Sequence, residues 1–79
     1  MTNIEKYTNA FTETFKISAE EAATLKYQDI SAWDSVGHMG VVAAVEGAFD
    51  IMMEADDIID FSSFEKGKEI LSEKYNISF

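Results

Sequence analysis

Ile4, Tyr7, Phe11 and Phe15 recur at steps of three and four, with polar residues between them. That spacing puts them on one face and predicts a first helix from Asn3 to Phe15. Ser18-Ala19-Glu20-Glu21 has the form of a capping box, in which a serine hydroxyl takes an amide and the glutamate three residues on answers the serine's own amide. It predicts a turn or two of helix over Ala19 to Thr24. No helical period holds from Leu25 to Trp33, which predicts a long loop pinned to the core by Leu25, Tyr27, Ile30 and Trp33.

A second long helix is predicted from Asp34 or Ser35 to about Phe49. Val41, Val42, Val45 and Phe49 form its buried stripe, with Val36, Met39 and Ala43 as a neighbouring apolar strip. Valines also suit a strand, but fifteen residues without a turn signal, opened by a capping acid and serine, favour helix. A short third helix follows from Ala55 to Asp60, with Ile58, Ile59 and Phe61 turned inward. Ser62-Ser63-Phe64-Glu65 has the form of another capping box and opens a fourth helix to about Tyr75, with Phe64, Ile70, Leu71 and Tyr75 on its inner side. The expected fold is all-α: a small four-helix bundle of three longer helices and one short one, with a long first loop, in a single domain over residues 1–79.

Composition narrows the function. The chain has no cysteine, which excludes disulfides, thiolate metal sites and cysteine catalysis together. No secretory segment is visible, and the longest apolar run, MGVVAAV, is far short of the ~20 residues a membrane span needs, so the expected location is cytoplasmic. The net charge of −9 is segregated. Nine acids (Asp29, Asp34, Glu46, Asp50, Glu54, Asp56, Asp57, Asp60, Glu65) and no lysine or arginine lie between Tyr27 and Glu65. Such a field repels nucleic acid and anionic membrane and attracts basic protein surfaces; simple solubilisation is the other reading of it.

Ser35 is the residue with most chemical promise, and three roles compete for it. As a nucleophile it has His38 one turn on, but the hydrolase elbow needs glycine at position 33, where Trp33 stands. The chain also lacks a second layer to build a substrate cleft, so no catalytic residue is assigned and the protein is not expected to be an enzyme. As an N-cap, Ser35 or Asp34 would simply start the helix. As an attachment point, it sits among unpaired amides at the positive end of a helix dipole, which stabilise a phosphate ester. Glu54, Asp56, Asp57 and Asp60 are oxygen ligands close together, but they lack the alternation and central glycine of a calcium loop, so no metal site is assigned.

At Asp34-Ser35-Val36 the chain resembles the acyl carrier protein family, whose attachment motif is Asp-Ser-Leu. The order of features around the tripeptide carries the resemblance further. Leu25-x-Tyr27-x-x-Ile30-x-x-Trp33 leads in, and Glu46-x-x-Phe49-Asp50-Ile51 closes the second helix. Asp57-Ile58 marks the third helix, and Ser63-Phe64-x-x-Gly67-x-x-Ile70-Leu71 opens and fills the fourth. The resemblance spans essentially the whole chain and is strongest from Ile30 to Leu71.

It implies that Ser35 receives 4′-phosphopantetheine from coenzyme A through a phosphopantetheinyl transferase, with Asp34 helping to present the serine. The arm supplies the thiol that this chain lacks, and acyl groups ride on it as thioesters to enzymes with basic docking surfaces. Val36, Met39, Ile58 and Ile59 are expected to flank the arm, with core packing an equal account of Met39 and Ile58. His38 is expected to contact the phosphate or a partner or else stand exposed and idle, and Glu46 to be the main charge before Asp50. Met52 and Met53 could line an acyl pocket or fill gaps at a loop. Gly37, Gly40 and Gly47 stand where fatty-acid carriers display glutamates, which points to a specialised pathway. The expected protein is a monomer with no nucleic-acid or membrane partner. An aminoacyl or peptidyl carrier shares the same fold and serine, and an unmodified acidic adaptor is the alternative from a different class.

Overall fold

The computed structural model describes residues 1–79 and is all-helical, with five helices in the order α1 (Asn3–Phe15), α2 (Ala19–Ala23), α3 (Ser35–Phe49), α4 (Ala55–Asp60) and α5 (Phe64–Lys74). The expected count of four is corrected by α2. The Ser18 box forms fully, with its hydroxyl accepting the Glu21 amide at 3.1 Å and the Glu21 carboxylate accepting the Ser18 amide at 3.2 Å, and this closes a separate five-residue helix. Thr2 and Glu5 form the same reciprocal pair at the start of α1.

The start of α5 also departs from expectation. Its cap is Ser63, which accepts the Lys66 amide at 2.9 Å, and no glutamate reciprocates because Lys66 occupies the third helical position. Ser62 cannot take that role, because it lies in an extended pairing with the first loop, where its carbonyl accepts the Tyr27 amide at 2.9 Å.

The core is built from aromatic rings. Phe11 lies 5.1 Å from both Tyr7 and Phe64 and 5.5 Å from Trp33, and Phe15 stacks on Trp33 at 5.4 Å. Tyr7, Phe11, Trp33 and Phe61 are fully buried beside Val41, Val42 and Val45 of α3. The Tyr7 hydroxyl donates to the Phe64 carbonyl at 2.6 Å, which settles the one polar atom of that ring inside the core. Gly67 lets this happen, since a β-carbon there would overlap the Tyr7 hydroxyl and the Phe61 ring. The tail packs back as well: Ile77 is buried, its amide donates to the Leu71 carbonyl, and Asn3 donates to the Ser78 carbonyl at 3.0 Å.

Asp57 is the one buried charged residue. Lys74 Nζ donates to its Oδ1 and the Tyr75 hydroxyl to its Oδ2, both at 2.7 Å, and the Glu54 amide donates to the same hydroxyl. The hydrogen bond from Lys74, then that from Tyr75, holds the Asp57 carboxyl below the usual aspartate range, and Asp57 in turn raises Lys74. This network ties α4 to the end of α5. No group of three or more histidines, aspartates or glutamates is arranged to hold a metal ion, and no helix is long and apolar enough to cross a membrane.

Candidate functional site

Ser35 is the first residue of α3, and the loop before it is tightly specified. Gln28 adopts a left-handed conformation, its amide donates to the Trp33 carbonyl at 3.1 Å, and Lys26 and Asp29 close a turn through backbone and carboxylate. The loop is tied to the α4–α5 linker by the Lys26–Ser63 bridge and by the Phe64 amide, which donates to the Leu25 carbonyl at 2.9 Å. Trp33 is the plug: wholly buried, it fixes where the next two residues emerge. Gly37 allows the loop to lie close against α3, since a β-carbon there would overlap the Ala32 carbonyl oxygen.

Asp34 supplies the cap. Its backbone is extended, and its carboxylate accepts the Gly37 amide at 2.9 Å. Ser35 is exposed at the positive end of the fifteen-residue helix α3, with its hydroxyl free of the capping duty.

Beside Ser35 an open cleft of about 450 Å³ runs between α3 and α4. Ser35, His38, Met39, Ile58 and Ile59 line it, and so do Tyr27, Phe61 and Ser62. None of these eight is a carboxylate, lysine or arginine, so the cleft is uncharged in a segment otherwise rich in acid. Two other clefts of similar size lie along α1 and contain neither Ser35 nor His38.

Five of the expected site residues therefore meet in one place: Ser35, His38, Met39, Ile58 and Ile59. Val36 is 79% exposed on the outer face of α3, outside the cleft. Glu46 stands apart near the far end of α3, half-buried, with a carboxylate oxygen accepting the Met53 amide at 2.8 Å; it holds the α3–α4 loop.

Three expectations are corrected here. Ile59 does not turn inward but is 76% exposed, because Asp57 takes the inner face of the six-residue α4 and Ile59, two residues on, falls on the opposite side. Of the two readings of Met52 and Met53, Met53 is buried in the core, as gap-filling at a loop requires, while Met52 is exposed and neither lines the cleft. His38 is neither exposed nor idle: the Trp33 indole N–H meets its Nδ1 at 2.9 Å, and its Nε2 lies 2.7 Å from the Ile58 carbonyl. Tyr27 is half-exposed and serves the cleft as much as the core, its ring edge-on to Trp33 and His38.

Tyr27, Phe61 and Ser62 are the cleft residues that sequence reasoning missed. Their meeting depends on backbone pairing between two aperiodic segments, which leaves no periodic signal. Compared with known proteins, the chain matches no family model, no curated protein and no solved structure.

Proposed function

We propose that this chain is a carrier domain of the acyl-carrier kind, with Ser35 as the point where 4′-phosphopantetheine is attached. The observation that carries this is the state of Ser35: exposed, at the head of a long helix, released from capping by Asp34, and opening on an apolar cleft.

The residues present fit such a group. A phosphodiester on Ser35 Oγ lies at the positive end of α3, where the helix dipole favours an anion, and no protein hydrogen bond has to be broken to free that oxygen. When bound, the arm supplies a terminal thiol for acyl cargo, the nucleophile absent from a chain without cysteine. Asp34 holds the first turn of α3 and keeps the serine at the surface, within reach of a modifying enzyme. Met39, Ile58 and Ile59 offer apolar surface beside the attachment point, and the surrounding acids favour partners with basic faces. Incubation with coenzyme A, magnesium and a broad-specificity phosphopantetheinyl transferase, followed by intact mass, tests the assignment.

A further inference from the structure

His38 has both ring nitrogens committed, and its partners fix where its proton sits. The Trp33 indole N–H can only donate, so Nδ1, at 2.9 Å, must carry a lone pair. The single proton of the neutral ring is then on Nε2, which donates to the Ile58 carbonyl at 2.7 Å. Ile58 falls within the last four residues of α4, and no backbone amide serves its oxygen. His38 therefore caps α4 from the neighbouring helix.

The rings around His38 are aromatic, and no charged group pairs with it. Its plane nearly continues that of Trp33, at 15°, edge to edge across the hydrogen bond, and the Tyr27 and Phe61 rings stand steeply to it. Of these neighbours only the Tyr27 phenol is titratable. Asp34, on the turn before, has its carboxylate on the Gly37 amide, and Asp57, on α4, is turned to Lys74 and Tyr75. No carboxylate lies within ion-pair distance of His38.

We propose that His38 is a proton-operated latch, which holds the end of α4 against the head of α3 when neutral and widens the cleft beside Ser35 when protonated. An imidazolium carries N–H on both nitrogens, so Nδ1–H faces the indole N–H with no acceptor between them. The ring must turn to escape, and turning takes Nε2–H away from Ile58. α4 is the element that yields: it has six residues and no side-chain cap at its own start. Its second attachment, from Asp57 to Lys74 and Tyr75, stays ionised over the same range and acts as the hinge. Ile58 and Ile59 move with α4, and both line the cleft. The latch belongs to the unmodified chain and does not depend on attachment at Ser35.

The test is a titration of unmodified, nitrogen-15-labelled protein from about pH 8 to about pH 5, across the range of imidazole chemistry. At the upper end, Nε2 should give the signal of a protonated nitrogen and Nδ1 that of a bare one. As the ring takes its second proton, the Trp33 indole and the amides of Ile58 to Ser62 should shift with the same midpoint as the ring. Protection of the α4 amides, taken relative to the intrinsic exchange rate at each pH, should fall by about tenfold or more. In His38→Gln, whose amide can still donate to Ile58 but gains no proton here, those signals should stay still. A neutral ring protonated on Nδ1, or a titration of His38 that Trp33 and α4 do not follow, overturns the proposal. The wild-type protein supplies both readouts even if the variant fails to fold.

Discussion

The Asp34 carboxylate accepts the Gly37 amide at 2.9 Å, so the residue before Ser35 caps α3 and Ser35 does not. The two neighbours should respond to mutation in opposite ways. Asp34→Ala should lose about 1 kcal/mol of stability, the usual cost of a missing N-cap. Ser35→Ala should stay within about 0.5 kcal/mol, as an exposed substitution away from any partner. Urea midpoints of the two variants check this, and a larger loss for Ser35→Ala would reverse the assignment of roles.

The glycines of α3 split the same way. A β-carbon at Gly47 meets nothing within 4 Å, so Gly47→Ala should stabilise by up to about 1 kcal/mol through helix propensity alone. At Gly37 the same change drives a β-carbon into the Ala32 carbonyl, and a loss of about 1–3 kcal/mol is expected as the loop shifts. Thermal unfolding of both variants is the measurement. Equal effects would mean that the close approach at Gly37 is not real.

Asp57 sets an acid limb. Its folded pKa is lowered by Lys74 and then Tyr75, so its contribution is fully present above the ordinary aspartate value of 3.8 and is lost as pH falls through the lower folded value. The stability gap between wild type and Asp57→Asn should therefore be widest near neutrality and should shrink below about pH 4. Urea titrations at several pH values read it directly. A gap that stays constant in acid would show that the carboxylate gains nothing from its partners.

Charge segregation makes a further prediction. With nine acids and no base between Tyr27 and Glu65, self-repulsion opposes compaction, and screening sets in as the Debye length falls to ~10 Å at 0.1 M salt. The melting temperature should rise with sodium chloride from low to moderate concentration. A flat or falling response contradicts this.

How much of this was legible in the sequence depended on whether a feature is local. The bounds of α1 and α4 followed from spacing and flanking signals, and the burial of Trp33 from its place in an aperiodic loop. Capping at Ser18 was legible because both partners lie within four residues. The same logic misplaced the cap of α5, because Ser62 is claimed by a strand-like pairing with Tyr27 that is remote in sequence. In the sequence nothing separates Asp57 from the acids around it; its burial depends on Lys74 and Tyr75, seventeen and eighteen residues on. His38 was singled out, but its bonds to Trp33 and Ile58 required the placement of α4, which no local pattern encodes. The glycines were legible as a group and not as individuals, since only tertiary approach separates Gly37 from Gly47.

The central claim is that Ser35 is a tether point, and intact mass tests it most directly. Wild-type protein incubated with coenzyme A, magnesium and a broad-specificity phosphopantetheinyl transferase should gain the mass of a single phosphopantetheine. Peptide mapping should place it on Ser35, and Ser35→Ala, with unchanged helical content, should gain nothing. A wild-type chain that folds and stays unmodified under conditions that load a control carrier, or a mass gain that persists in Ser35→Ala, would contradict the account.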